Sequence, residues 1–146
     1  MPNQTLEGAF PRFKDYINGR VLLLQEHLGL NEWNGEVLDA SKELAKTSTV
    51  AYINIDYKYL SYKLHLDMKY LLRQVAAGNY KKVTHYIIHE LCHIFVDRLY
   101  LFAIDAATTS TQDFLEEYRE QAVQRVTKVG MIGLEHRQYV GVDFRF

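Results

Sequence analysis

The sequence predicts an α+β fold in which a short antiparallel sheet packs against helices. Three observations point there. Apolar residues recur at helical spacing near both ends of the chain. Residues 50–66, between those stretches, alternate apolar and polar with period two. The chain has 146 residues, 48% of them from the set AVILMFWYC and 24% charged, which is the composition of one globular domain. A single domain is therefore expected over residues 1–146, with an N-terminal helical segment (1–30) and a C-terminal tail or strand (134–146).

Each element has a local reason. Pro11 suits the first position of a helix, where its missing N–H costs nothing. Phe13, Ile17, Val21, Leu24 and Leu28 then form one apolar stripe, so the first helix is expected from Pro11 to about Leu28, with Gly29 as its stop. Trp33–Ala40 reads as a short strand and the polar stretch Ser41–Thr49 as a loop. In Val50–Asp56, Ala51, Ile53 and Ile55 alternate with Tyr52 and Asn54, which predicts a strand. Beyond Lys58, Leu60, Tyr62, Leu64 and Leu66 face one way and Ser61, Lys63 and His65 the other, as in an antiparallel partner with one wet face. Asp67 can cap a helix from Met68 to about Ala76, ended by Gly78 and Asn79.

Tyr80 to about Ala103 is the longest helical stretch. It is apolar on most sides through Val83, Ile87, Ile88, Leu91, Ile94, Phe95, Val96 and Leu99, which predicts burial in the middle of the domain. Asp105–Gln112 reads as a loop, and Ser110 with Asp113 resembles a capping box. A last helix is expected from Asp113 to about Lys128, with Phe114, Leu115, Tyr118, Ala122, Val123 and Val126 as its apolar face and Gly130 and Gly133 breaking it. From Tyr139 onward the tail alternates and predicts a final strand.

Composition narrows the function classes. Lys plus Arg is 17 and Asp plus Glu 18, a net charge of -1, so nucleic acid is not an expected partner. The longest apolar runs are far too short to span a bilayer, so no membrane partner is expected. The first residues, MPNQTLEGAFPRF, lack a basic stretch followed by an apolar one, which predicts a cytoplasmic protein. Cys92 is the one cysteine, so no intrachain disulfide supports the fold.

The chemistry concentrates in His89-Glu90-Leu91-Cys92-His93, an HExxH pattern inside the long helix. Histidines four apart lie one turn above each other on one helix face, so both imidazoles can converge on one metal ion. Glu90 points close to the same face and can reach a water on that metal without ligating it. At this chain's His and Glu frequencies, chance gives about 0.02 occurrences of the pattern. The competing reading is two core histidines with local hydrogen bonds and Glu90 in a structural ion pair. A Glu and two His within an apolar helix are costly to bury without a shared partner, which favours the metal.

A catalytic zinc takes three protein ligands plus water. The position six residues beyond His93 is Leu99, so no third histidine follows at that spacing. The next helix offers Glu116, Glu117 and Glu120. HExxH on a buried helix with a Glu on the following helix resembles the gluzincin class of zinc metallopeptidases. Trp33, VAYINID, YLSYKLHLD, IIHELCHIF and EQAVQRV follow one another much as in minimal single-domain members, the minigluzincins and the small metallopeptidases of phages and prokaryotes. The likeness covers about residues 33–128, with HExxH as its specific part. It implies a zincin-like fold, a Zn2+ cofactor held by His89, His93 and Glu120, and a peptide or protein substrate. Glu116 is the alternative third ligand, one turn earlier on nearly the same face. HELCH also occurs in SprT-like metalloproteins, for which His136 would be the only downstream histidine, but the Cys pair of that class is missing.

The activity implied is hydrolysis of peptide bonds through a metal-activated water, with Glu90 as general base. An extended substrate is expected to add to the exposed edge of the strand at Tyr59–Asp67. His136, Arg137 or Tyr139 are candidate oxyanion donors. Asp97, four after His93, can orient that ring or pair with Arg98; His85 continues the histidine ladder; Cys92 is expected to be a buried, inert thiol. The aromatic tail could lie in the cleft and keep an enzyme latent, or form an edge strand. The alternative function is a catalytically inactive, peptidase-like protein that binds zinc or a partner, possessed by a phage or mobile element.

Overall fold

A computed structural model of the protein describes residues 5–137 and Phe144. The elements follow in the order α1 (Leu6–His27), β1 (Asn34–Asp39), α2 (Ser41–Leu44), β2 (Ala51–Asp56), β3 (Ser61–Leu66), α3 (Met68–Ala76), α4 (Tyr80–Asp105) and α5 (Thr109–Arg137). The fold is thus mixed α+β, with a three-stranded sheet of order β1-β3-β2. Among the described residues no helix is long and apolar enough to cross a membrane.

The sheet departs from the antiparallel expectation. β2 and β3 form the expected hairpin, with Ala51 opposite Leu66 and Ile53 opposite Leu64. Its turn is held by Asp56, whose Oδ1 accepts from the Lys58 and Tyr59 amides at 3.0 and 3.3 Å. Leu60 sits in that turn with φ 48 and is not part of the β3 stripe. β1, however, pairs parallel to β3, Asn34 opposite Ser61 through Asp39 opposite Leu66. Because β2 already covers one side of β3, β1 closes the other. β3 is therefore the central strand and has no edge to offer a substrate; the free edge near the site belongs to β2, which packs against α4.

Helix boundaries show where tertiary contacts overrode local signals. α1 starts a turn before Pro11, with the Thr5 hydroxyl accepting from the Gly8 amide at 3.4 Å. The loop expected at 41–49 contains the one-turn α2. α3 runs over the predicted residues, and Asp67 accepts from the Tyr70 amide at 3.1 Å as its cap. Gly29 and Gly78, at φ 74 and 83, take the left-handed conformation that ends α1 and α3. α5 begins at Thr109, so Ser110 lies within the helix rather than capping it. The Gln112 amide group donates to the carbonyls of Ile104 and Ala107 at 3.2 and 3.3 Å, satisfying the end of α4 and shortening the connection.

α5 also passes through Gly130 and Gly133 without a break. A side chain at Gly130 would meet Ile88 and Leu28 at 3.3 Å, and one at Gly133 would meet the His27 ring at 3.3 Å. His27 Nε2 bonds the Gly130 carbonyl at 3.1 Å. These glycines serve close packing of α5 on α1 and α4, and that packing offsets their weak helix propensity of about 1 kcal/mol each.

The core joins the α1 stripe Phe13, Ile17, Val21 and Leu24 to Tyr62, Leu64 and Leu66 of β3, Leu71 and Val75 of α3, and Ile87, Ile88 and Leu91 of α4. α4 is buried only as far as Ile94; Phe95, Leu99 and Phe102 are exposed, contrary to burial along its whole length. The predicted last strand lies outside the described residues except for Phe144. That ring packs on Phe13 and Tyr16 of α1, at centroid distances of 5.5 and 5.2 Å.

Candidate metal centre

The register of α4 builds the centre. Ile87, Ile88, Leu91 and Cys92 are buried in the core, which turns His89 and His93 toward α5. The two imidazoles are 5.4 Å apart between centroids. α5 packs along α4 and brings Glu120 opposite them. Glu120 Oε2 lies 3.8 Å from His89 Nε2, and Oε1 lies 3.7 Å from His93 Nε2. One ligand atom from each of the three residues falls within 4.8 Å of the others.

These separations are too long for hydrogen bonds. They resemble instead the edges of a coordination polyhedron: tetrahedral bonds of about 2.0–2.1 Å place donor atoms about 3.3 Å apart. Two imidazole nitrogens and a carboxylate oxygen are also the donor chemistry that suits zinc. The residues present thus fit such an ion once the three side chains, whose ligand atoms lie within 4.8 Å of one another, close in around it.

Neighbouring groups fix this arrangement. His93 Nδ1 is 3.0 Å from Asp97 Oδ1, which leaves Nε2 aimed at Glu120. Arg119 joins the carboxylates: its Nε is 3.4 Å from Asp97, Nη1 3.3 Å from Glu116 and Nη2 3.6 Å from Glu120. Its guanidinium also sits 4.8 Å over the Tyr100 ring. Glu116 is bound instead by Arg119 and by the Tyr100 hydroxyl, and it is Glu120 that joins the two histidines. Glu117 accepts from Gln121 on the outer side of α5. Tyr57 donates to the Ile94 carbonyl at 2.9 Å and stands edge-on to Trp33, holding α4 against the sheet.

Arg119 and Tyr57 were not apparent from the sequence. The one available signal for Arg119 is its position between Glu116 and Glu120 on the same helix, three residues beyond the first. The Asp97 alternative resolves toward the His93 ring. His136 and Arg137 lie at the end of α5, with side chains outside the described residues, as is all of Tyr139.

Protonation follows burial and charge. Burial pushes the Glu90 carboxyl up to about 7; Glu120 and Asp97 push the same way, while His93 and Arg119 oppose them. Burial lowers His89, aided by His93 and His85. Burial also lowers His93, but the Asp97 hydrogen bond and the surrounding carboxylates outweigh it, so His93 ends above its ordinary value. Burial raises Cys92 to about 11, which leaves the thiol protonated and unreactive.

A cleft of about 1310 Å³ opens on the His89 and Glu90 side of the centre, between the start of β2 (Val50, Ala51) and α5 (Gln124, Met131). No protein-family model matches the chain, and no match emerges among curated proteins or solved structures.

Proposed function

We propose that this protein is a zinc-dependent metallopeptidase of gluzincin type with a zincin-like fold, acting in the cytoplasm. The observation that carries the reading is the convergence of His89, His93 and Glu120 on one point, with Glu90 beside it on the wall of an open cleft. Zinc bound there would act as a Lewis acid and lower the pKa of a water toward about 7.

The chain's own residues supply the rest. Glu90 accepts the proton of the attacking water and returns it to the leaving amine. Its raised pKa, about 7 in the metal-free chain, suits a group that must both take and give a proton near neutrality. Asp97 holds the His93 ring in one orientation, and Arg119 holds Asp97 and Glu120 together. β2 offers its free edge to an extended peptide. The Asp67 amide donates to the Val50 carbonyl at 2.8 Å, so even-numbered residues of β2 bond to β3. Ala51, Ile53 and Ile55 then present their backbone groups outward, where a substrate strand can add.

The test is elemental analysis of the tag-free protein after zinc reconstitution, together with cleavage of a mixed peptide library. About one zinc per chain, lost in His89→Ala and in Glu120→Ala, supports the centre. Cleavage abolished by Glu90→Gln with zinc retained supports the peptidase. Absence of zinc after reconstitution refutes both. Zinc without any peptide hydrolysis refutes the peptidase alone.

A further inference from the structure

The cleft beside Glu90 is electrically lopsided. Near the imidazoles the charged groups are carboxylates bound into the Arg119 cluster. Away from them the wall carries Lys81, Lys82 and Lys128 together with His85. Lys81 is neutralised by Glu135 at 2.7 Å. Past Val50 and Tyr86 the surface continues into a second cavity of about 370 Å³, walled in part by Lys69 and Arg73. The acid there, Asp67, is buried and committed to the cap of α3. Among the described residues no ion pair is seen for Lys69, Arg73, Lys82 or Lys128; Lys82 reaches the neutral Tyr70 side chain, hydrogen-bonding its phenol with its Nζ 5.8 Å from the ring centroid. The Tyr70 phenol is lowered chiefly by its hydrogen bonds with Tyr86 and Lys82, with a smaller contribution from the charge of Lys82 and Arg73.

Four uncompensated cations along one groove in a chain of net charge -1 concentrate positive potential where a ligand would enter. The adjacent ligand-binding device is the free edge of β2, which suits a polypeptide backbone and offers nothing matched to a sugar-phosphate chain. We propose that the groove from Glu90 past Tyr86 selects an acidic peptide segment, whose Asp or Glu side chains pair with Lys82, Lys128 and Arg73. This rests on the reading of the cleft as the substrate groove, and it adds the substrate class.

Binding can be measured apart from catalysis. The probes are dye-labelled decapeptides that are Glu/Asp-rich, Ser/Gln-rich or Lys-rich, with a single-stranded oligonucleotide as a further anion. They are titrated by fluorescence anisotropy into the full-length Glu90→Gln chain, with and without zinc. The acidic peptide is expected to bind about tenfold tighter than the neutral one at low salt, with the gap closing as salt rises. Adding Lys82→Glu and Lys128→Glu, both exposed positions, is expected to reverse the order in favour of the Lys-rich peptide while the thermal melt is kept. Equal affinities, a preference that survives the charge reversal, or tighter binding of the oligonucleotide each overturn the inference. Zinc stoichiometry on the same samples reports separately on the metal centre, so its failure leaves the peptide result legible.

Discussion

The two halves of α4 have similar composition and opposite fates. From Val83 to Ile94 the aliphatic residues are buried, Leu91 fully. From Phe95 onward the stripe continues at helical spacing through Leu99 and Phe102, yet these are 43%, 74% and 72% exposed. α1, α3, β2 and α5 all pack against α4; in its outer half Tyr100 bonds Glu116 of α5, and Arg98 lies 5.9 Å over the Tyr57 ring, but the apolar stripe stays open. Phe114 and Tyr118 of α5 are also more than half exposed. Apolar periodicity therefore predicts a helix more firmly than it predicts burial, because burial needs a second element at the right height. The candidate centre lies at the boundary. His93 sits in the last buried turns, where its ring is fixed, while His89 and Glu90 open onto the cleft.

The contrast makes graded predictions. The largest concerns the inner half. Leu91→Ala should destabilise the protein by about 2–5 kcal/mol, because the cavity it leaves is enclosed. Denaturant unfolding measures this, and a loss below about 1 kcal/mol would mean that the inner half is not packed as described.

Next is Glu90, at the boundary. Its folded pKa, about 7, lies above the ordinary 4.5. The folded state thus binds the proton more tightly, and the stability this confers is complete below pH 4.5 and lost as pH rises to 7. Glu90→Gln mimics the protonated form. In the metal-free protein it should be more stable than the parent at pH 8, on the order of 2–3 kcal/mol, and show no gain at pH 4. Thermal melts at both pH values decide it; a gain independent of pH would contradict the burial argument.

Asp97 comes next, holding His93 from the first turns of the outer half. Asp97→Asn should weaken zinc binding about 10–100-fold with the fold intact, as competition with a chromophoric chelator would show. The smallest effect belongs to the exposed stripe: Leu99→Ala should change stability by no more than about 0.5 kcal/mol. A larger loss would reveal a cover on the outer half under solution conditions.

What could be read from the sequence was local. The HExxH spacing, the β2–β3 alternation and the Asp67 cap depend on residues within a few positions of one another, and the backbone repeat of a helix or strand alone determines which of them share a face. The structure places β2 and α3 within a residue of those readings, and β3 within two. What only the tertiary structure decided depended on how separate elements slide past each other. Glu116 and Glu120 are one helical turn apart on the same face of α5, so the axial offset of α5 along α4 selects which meets the imidazoles. Arg119, lying between them, is directed to Asp97 by the same offset. Gly130 and Gly133 read as breakers until the His27, Leu28 and Ile88 side chains press against them. The parallel pairing of β1, and hence the edge position of β2, reflects which side of β3 was left open, a long-range choice that no local period encodes.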